Sequence, residues 1–331
     1  MLDRWPALTV LFATVALSAC GGNSDSPAPP PPSSPDLAQR IGAATTTAQS
    51  SSNLCAPIRP FYWEVGDGTA LRASGSVNEA GNATTYTAAT VMNIASASKW
   101  LYGAYVVERR GGALTAEDIR HLNFTAGYTS FGFSGCEPSD TVASCVARGN
   151  NGVQTPAHVD RFSYGGGHMQ VHANIAAPGM GLGALDNATL AAEMTRVLGM
   201  SLSYTQPQLA GGARTTPSQY AVFLRRLLNN ELQLSTRLGA HAVCTNPATC
   251  PTAVNTPVPA SQSFHYSLGH WVETSGDGAF SSAGAFGFYP WIDVNKTHYG
   301  IVARVALAGG GNESADCGGL IRRAWLTGVA Q

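Results

Sequence analysis

The stretch "MNIASASKWLYGAYV", residues 92–106, decides how the rest of this chain is read. It sets Ser96 three residues ahead of Lys99, and the whole sequence holds one other lysine, Lys296. Leu101, Tyr102, Tyr105 and Val106 recur at helical spacing, and Gly111-Gly112 ends the run, so the pattern predicts a helix starting near Ser96. Residues three apart share a helix face, which lets Ser96 and Lys99 meet. A serine hydroxyl is a poor nucleophile until a base removes its proton. Lysine is that base only when it is partly neutral, and the flanks Ile94, Ala95, Ala97 and Trp100 disfavour the ammonium. A helix N-terminus would also stabilise negative charge developing at Ser96. Ser-x-x-Lys alone is a weak signal, equally compatible with a capping serine and a surface lysine.

Working outward, residues 60–77, "PFYWEVGDGTALRASGSV", predict two short strands around Gly66-Asp67-Gly68. The middle, about 115–235, reads as helices and loops. Its clearest helix is "TPSQYAVFLRRLLNN", with Thr216 as cap, Pro217 in the first turn, Gln219 completing a capping box, and a stripe of Tyr220, Phe223, Leu224, Leu227 and Leu228. The last third turns to strands: "SFHYSLGHWVET" as one, "GAFGFYPWID" as a second and "HYGIVARVAL" as a third. The turn "VNKT" makes the last two a hairpin, with Lys296 solvated at its tip, and "CGGLIRRAWLTGV" closes the chain as a helix. Strands at both ends with helices between them predict an α+β fold, an α/β sandwich whose antiparallel sheet comes from both chain ends, plus a mostly helical insertion.

The N-terminus reads as an export signal. Arg4 precedes an apolar run at 7–17, too short to span a bilayer. The run ends in "LSAC", which resembles the lipobox of bacterial lipoproteins. That resemblance implies a signal peptide over 1–19 and lipidation of Cys20. It also implies a lipid-anchored cell-envelope location, and Gly21 after Cys20, where well-studied lipoproteins kept at the inner membrane carry aspartate, favours the outer membrane, facing periplasm or cell surface. Residues 20–54 are rich in Pro, Ser, Thr and Gly, and read as a tether. The folded domain is then expected over 55–331.

A formal net charge of −1, 12% charged residues and no basic cluster argue against a nucleic-acid partner. Setting Cys20 aside leaves an even set of cysteines, as disulfides in an exported chain require. The favoured pairing is Cys136–Cys145 and Cys244–Cys250, closing short loops, and Cys55–Cys317, tying the domain's start to its end. No C-x-x-C pair is present, and neither a metal nor another cofactor is expected.

The quoted nucleophile stretch resembles that of the serine β-lactamase and penicillin-binding protein superfamily, and further matches follow in the family's order. "RFSYGGGHMQVHANIA" looks like the Tyr-x-Asn segment. "PQLAGGARTTPSQYAVFLRRLLNN" is similar to a Gly-Gly segment and helix of class C-like members. "YSLGHWVE" and "SSAGAFGFYPWIDV" look like their C-terminal strands, the second carrying the Lys-Thr-Gly or His-x-Gly motif. The resemblance covers about 60–328. It implies Ser96 as acylated nucleophile, Lys99 as adjacent base and Tyr164 as the second proton-transfer group. It also implies Gly284 as the motif glycine, and the backbone N–H groups of Ser96 and Ala285 as the oxyanion hole.

Two positions depart from that pattern. The family asparagine falls on Gly166, and the Lys-Thr pair falls on Ser282-Ala283, so the cation that greets a substrate carboxylate is missing. The expectation is therefore an esterase- or amidase-type serine hydrolase acting on a small-molecule or peptide-like acyl substrate. The alternatives are a D-Ala-D-Ala peptidase or β-lactamase, and a non-catalytic binding protein on the same fold. His168, His265 and His270 stand near the cleft motifs as weak substrate-contact candidates, and Trp100, Tyr102 and Trp291 are expected in the core.

Overall fold

The computed structural model describes residues 34–132 and 135–331. The expected signal peptide at 1–19, Cys20 and the proline-rich start of the expected tether lie outside the described residues. Helix α1 (Leu37–Gln49) opens the body of the fold, followed by strands β1 (Phe61–Asp67) and β2 (Leu71–Val77). Then come β3 (Met92–Asn93), α2 (Ser98–Arg109), α3 (Ala116–Leu122), α4 (Val142–Ala147), β4 (Phe162–Ser163), α5 (Gly167–Asn174) and α6 (Asn187–Leu198). Strands β5 (Ser203–Tyr204) and β6 (Ala213–Thr215) and helix α7 (Pro217–Leu228) end the middle section. The final section holds β7 (Val243–Cys244), β8 (Ala253–Asn255), β9 (His265–Ser267), β10 (His270–Val272), β11 (Phe280–Ser281), β12 (Tyr289–Ile292), β13 (His298–Ala303) and helix α8 (Gly311–Thr327).

The main sheet is antiparallel throughout, in the order β2-β1-β13-β12-β11-β10-β9-β7. Pairing of β1 with β13 joins the two ends of the domain, as the strand order along the chain predicts. Successive strand residues face opposite sides. Trp63, Val65, Trp291 and Val302 therefore pack with Ile321 and Trp325 of α8, while Tyr62, Tyr299 and Ile301 join a second core with α2 and α7. Gly300 belongs to the first face, where a Cβ would lie 2.3 Å from the Trp291 ring. The Cys55–Cys317, Cys136–Cys145 and Cys244–Cys250 bridges all form.

Four local readings need correction. Residues 37–49, expected within the tether, form α1. Asp36 and Gln39 make a full capping box, and Ala43, Ala44, Thr47 and Ala48 are buried against the fold. Arg40 donates to the Trp325 carbonyl at 3.0 Å. Small residues contribute little apolar area each, so composition suggested a free segment. Small side chains also let two helices approach closely, which is how α1 packs on α8. Residues 263–274, expected as one strand, hold two, β9 and β10, because Leu268-Gly269 turns the chain with positive φ at both residues. Thr216 caps α7 by accepting from Gln219 N–H at 3.2 Å. The Gln219 side chain, however, accepts from Ser201 N–H, so the capping box is only half made. Lys296 is half-buried, donating to the Ser235 carbonyl at 3.1 Å.

Helix α2 carries the deciding stretch and is buried from Ser98 through Val107, on every face and not along a stripe. Gly103 makes this possible: a Cβ there would fall 2.0 Å from the Leu268 carbonyl oxygen in the β9–β10 turn.

Candidate active site

Ser96 lies immediately before α2, in a 3-10 turn over Ala95–Ala97 that runs into it. Ala95 has φ +43°, a left-handed conformation that costs an L-residue roughly 1–2 kcal/mol. The Asn93 side chain holds the turn by accepting from Ala95 N–H at 2.7 Å. Ser98 is a poor rival for the nucleophile, since it is fully buried and its hydroxyl accepts from Ala213 N–H at 3.4 Å.

Lys99 Nζ stands 2.9 Å from Ser96 Oγ and 2.8 Å from the Ala210 carbonyl oxygen. The lysine is 5% exposed, and burial pushes its pKa down to about 7. Its ammonium also sits 4.8 Å from the centre of the Tyr164 ring. The Tyr164 hydroxyl shares a hydrogen bond with Ser96. Burial lifts its pKa to about 12 against the opposing pull of that bond. Three residues from two distant parts of the chain thus share one proton network, and no carboxylate enters it.

The tyrosine is braced from several sides. Trp271 stacks on its ring at 5.4 Å, and Phe124 and Tyr266 meet it edge-on at 5.4 and 5.9 Å. Asn255 Oδ1 accepts from Tyr164 N–H at 2.6 Å. Ala210, Trp271 and Asn255 were not singled out from sequence as parts of the site. The Ala210 carbonyl has a partial signal, because it sits in the quoted Gly-Gly segment. Asn255 has none, since a side-chain bond to a backbone group 91 positions away leaves no local pattern.

The edge beyond the nucleophile alternates. Ser281, Ala283 and Ala285 line a cleft of about 600 Å³ together with Ser96 and Tyr164. Ser282 turns the other way, and its hydroxyl donates to the Ser96 carbonyl at 3.1 Å, binding strand to nucleophile turn. Gly284 rests on the same turn, where a Cβ would lie 2.2 Å from the Ile94 carbonyl oxygen. Gly166 is the residue just before α5, beside Phe131 and Ala210, and is not among the residues lining the cleft.

Two arginines that could replace the missing lysine are elsewhere: Arg214 is exposed on β6, and Arg304 donates to Ser314 Oγ at 3.0 Å. The buried cleft cation is Arg322, clamped by Glu273 at 2.6 Å, Asp277 at 2.7 Å and the Tyr289 hydroxyl at 2.8 Å. Glu313 and Asp316 also line the cleft, where Arg323 is the remaining cation. The lining is thus acidic on balance.

His168 and His270 are buried away from the cleft, and burial drives both to about pKa 3. His168 bonds the Ser163 carbonyl, and His270 stacks on Trp100 at 5.5 Å. His265 lies in β9 and does not line the cleft. Trp100, Tyr102 and Trp291 are core residues. Among the described residues, no group of three His, Cys, Asp or Glu side chains is arranged to hold a metal ion, and no helix is long and apolar enough to cross a membrane.

No family model matches this sequence, and no curated protein matches it. Solved structures do. A β-lactamase from Mycobacterium bovis aligns at TM-score 0.53 and 15% identity, over 82% of this chain and 96% of that one. A penicillin-binding protein from Bacillus halodurans aligns at 0.54 and 14%, over 79% and 94%. EstCE1, a hydrolase with promiscuous acyltransferase activity, aligns at 0.60 and 12%, over 88% and 98%. The chain has the β-lactamase-like fold.

Proposed function

We propose that this chain is a serine hydrolase of esterase or amidase type, working through an acyl-enzyme on Ser96 and held at the cell envelope by lipid on Cys20. The observation that carries the reading is Lys99, a buried amine 2.9 Å from Ser96 Oγ with a pKa near 7 and no acidic partner. At neutral pH a large share of such a lysine is uncharged and free to accept a proton.

In the proposed cycle, Lys99 Nζ takes the proton from Ser96 Oγ as that oxygen attacks the acyl carbon. The carbonyl oxygen becomes an oxyanion facing the Ser96 and Ala285 N–H groups. Tyr164 gives its proton to the leaving oxygen or nitrogen as the bond breaks, and Lys99 restores it. Water then attacks the acyl-enzyme, and the same groups return Ser96 to its starting state. The envelope location is supported by "LSAC" ending at Cys20.

Substrate choice follows from charge. A carboxylate entering a cleft needs a cation or several strong donors to replace its hydration. Here Ala283 offers a methyl group, Ser282 is turned toward Ser96, Arg322 is already neutralised by two carboxylates, and Arg323 is exposed and outnumbered by Glu313 and Asp316 in the lining. Neutral acyl esters should therefore be turned over faster than a carboxylate-bearing β-lactam. The test compares kcat/KM for p-nitrophenyl butyrate and nitrocefin on one preparation, with intact-mass analysis after an activated fluorophosphonate. The expected result is one adduct, on Ser96, lost in Ser96→Ala, together with preference for the ester. A tenfold preference for nitrocefin would replace the esterase reading with the β-lactamase one. An adduct persisting in Ser96→Ala would remove the nucleophile assignment.

A further inference from the structure

We propose that Asn255 is a positioning residue for Tyr164, delivering the phenol to the nucleophile through the backbone; this rests on the reading of Tyr164 as the proton donor. Tyr164 directly follows β4, a strand of two residues whose sheet partner among the described residues is β8, paired in parallel. So short a strand gives little hold on the residue after it. Asn255, the last residue of β8, supplies the hold. Its side-chain Oδ1 accepts from Tyr164 N–H at 2.6 Å, and its own carbonyl lies 3.4 Å from the same nitrogen. The Ser163 hydroxyl donates to that Oδ1 at 3.4 Å.

Strand β8 is itself fixed to the main sheet. The Cys244–Cys250 bridge joins β7, at the sheet edge, to the turn that leads into β8. Ala253 N–H donates to the Cys250 carbonyl at 3.0 Å, and Phe162 N–H to the Thr252 carbonyl at 2.7 Å. The placement of Tyr164 thus passes from sheet edge to bridge, to β8, to Asn255. The same loop continues into Pro257, Val258 and Phe264, which line the cleft, so the segment that forms the wall also sets the tyrosine. Asn255 is exposed, and changing it opens no cavity in the core.

A displacement on the order of 1 Å at a reacting group can cost about a hundredfold in rate. Full-chain Asn255→Ala should therefore lower kcat for p-nitrophenyl butyrate by roughly 10- to 100-fold. It should leave KM and the acid limb set by Lys99 near pH 7 in place. Asn255→Asp keeps an acceptor oxygen for the Tyr164 N–H and should restore most of the rate. In a Tyr164→Phe background, Asn255→Ala should have no further effect, because its only route to the chemistry is gone. A thermal melt checks that each variant is folded. Wild-type kcat in folded Asn255→Ala overturns the proposal, as does an undiminished Asn255→Ala effect on top of Tyr164→Phe. A fully active Tyr164→Phe enzyme overturns the role of Tyr164 itself, and the positioning role falls with it.

Discussion

Lys99, behind the cleft-lining Ser96 and Tyr164, and Arg322, which lines the cleft itself, are both buried basic side chains, 5% and 3% exposed, and their surroundings send them in opposite directions. Lys99 meets a hydroxyl, a carbonyl and an aromatic face. These neutral groups do not repay the loss of hydration of an ammonium, so burial takes its pKa down to about 7. Arg322 is desolvated as deeply, yet Glu273, Tyr289 and Asp277 more than offset that cost and hold it charged. Burial alone does not decide what a basic side chain does. The presence or absence of a carboxylate within reach separates a candidate proton acceptor from a structural cation.

The sharpest way to break this comparison is to make Lys99 behave like Arg322. In Lys99→Arg the guanidinium stays protonated at any working pH and cannot act as base. Ester hydrolysis should fall by about 10³-fold, within the usual range for loss of a general base, and Lys99→Met should fall as far. A Lys99→Arg enzyme within tenfold of wild type would show that neutrality of Lys99 is irrelevant to the reaction.

The converse change tests the other partner. Arg322→Met leaves Glu273 and Asp277 without their cation, one of them deeply buried. Removing one partner of a buried ion pair costs about 3–5 kcal/mol. Denaturant unfolding should show a loss of that size, and an unchanged midpoint would mean that the cluster does not hold α8 to the sheet.

The smallest effect is read from pH. Only neutral Lys99 accepts the serine proton, and its neutral fraction grows as pH rises through about 7. The rate constant kcat/KM should climb about tenfold per unit below that point and level off above it. A limb near the ordinary lysine value would place a compensating charge beside Lys99.

Much of this was legible in local pattern. The helix at 217–228, the strands flanking Gly66-Asp67-Gly68 and the closing hairpin announced themselves through capping residues, turn residues and periodicity. Helix α1 did not, because its buried face is built of alanine and threonine, whose contribution depends on how closely a partner helix approaches. The β9–β10 split was hidden because Leu268-Gly269 interrupts an otherwise continuous strand pattern at one point. At the site, Ser96, Lys99 and Tyr164 were nameable in advance, and the structure brings all three together. Ser282 was nameable too, but strand alternation directs its hydroxyl to the Ser96 carbonyl and away from the cleft.

The sequence by itself determined the Ser-x-x-Lys spacing, the even number of cysteines left beside Cys20, the order of strands and helices, and the want of a lysine at Ser282-Ala283. Those are properties of neighbours along the chain, or of counting. Only the tertiary structure decided that Lys99 is buried beside no acid, that Arg322 is buried between two, and that the Tyr164 N–H meets the Asn255 side chain. Each of those depends on which distant groups folding brings within a few ångströms. Desolvation and hydrogen bonding act at that range, whatever the separation along the chain.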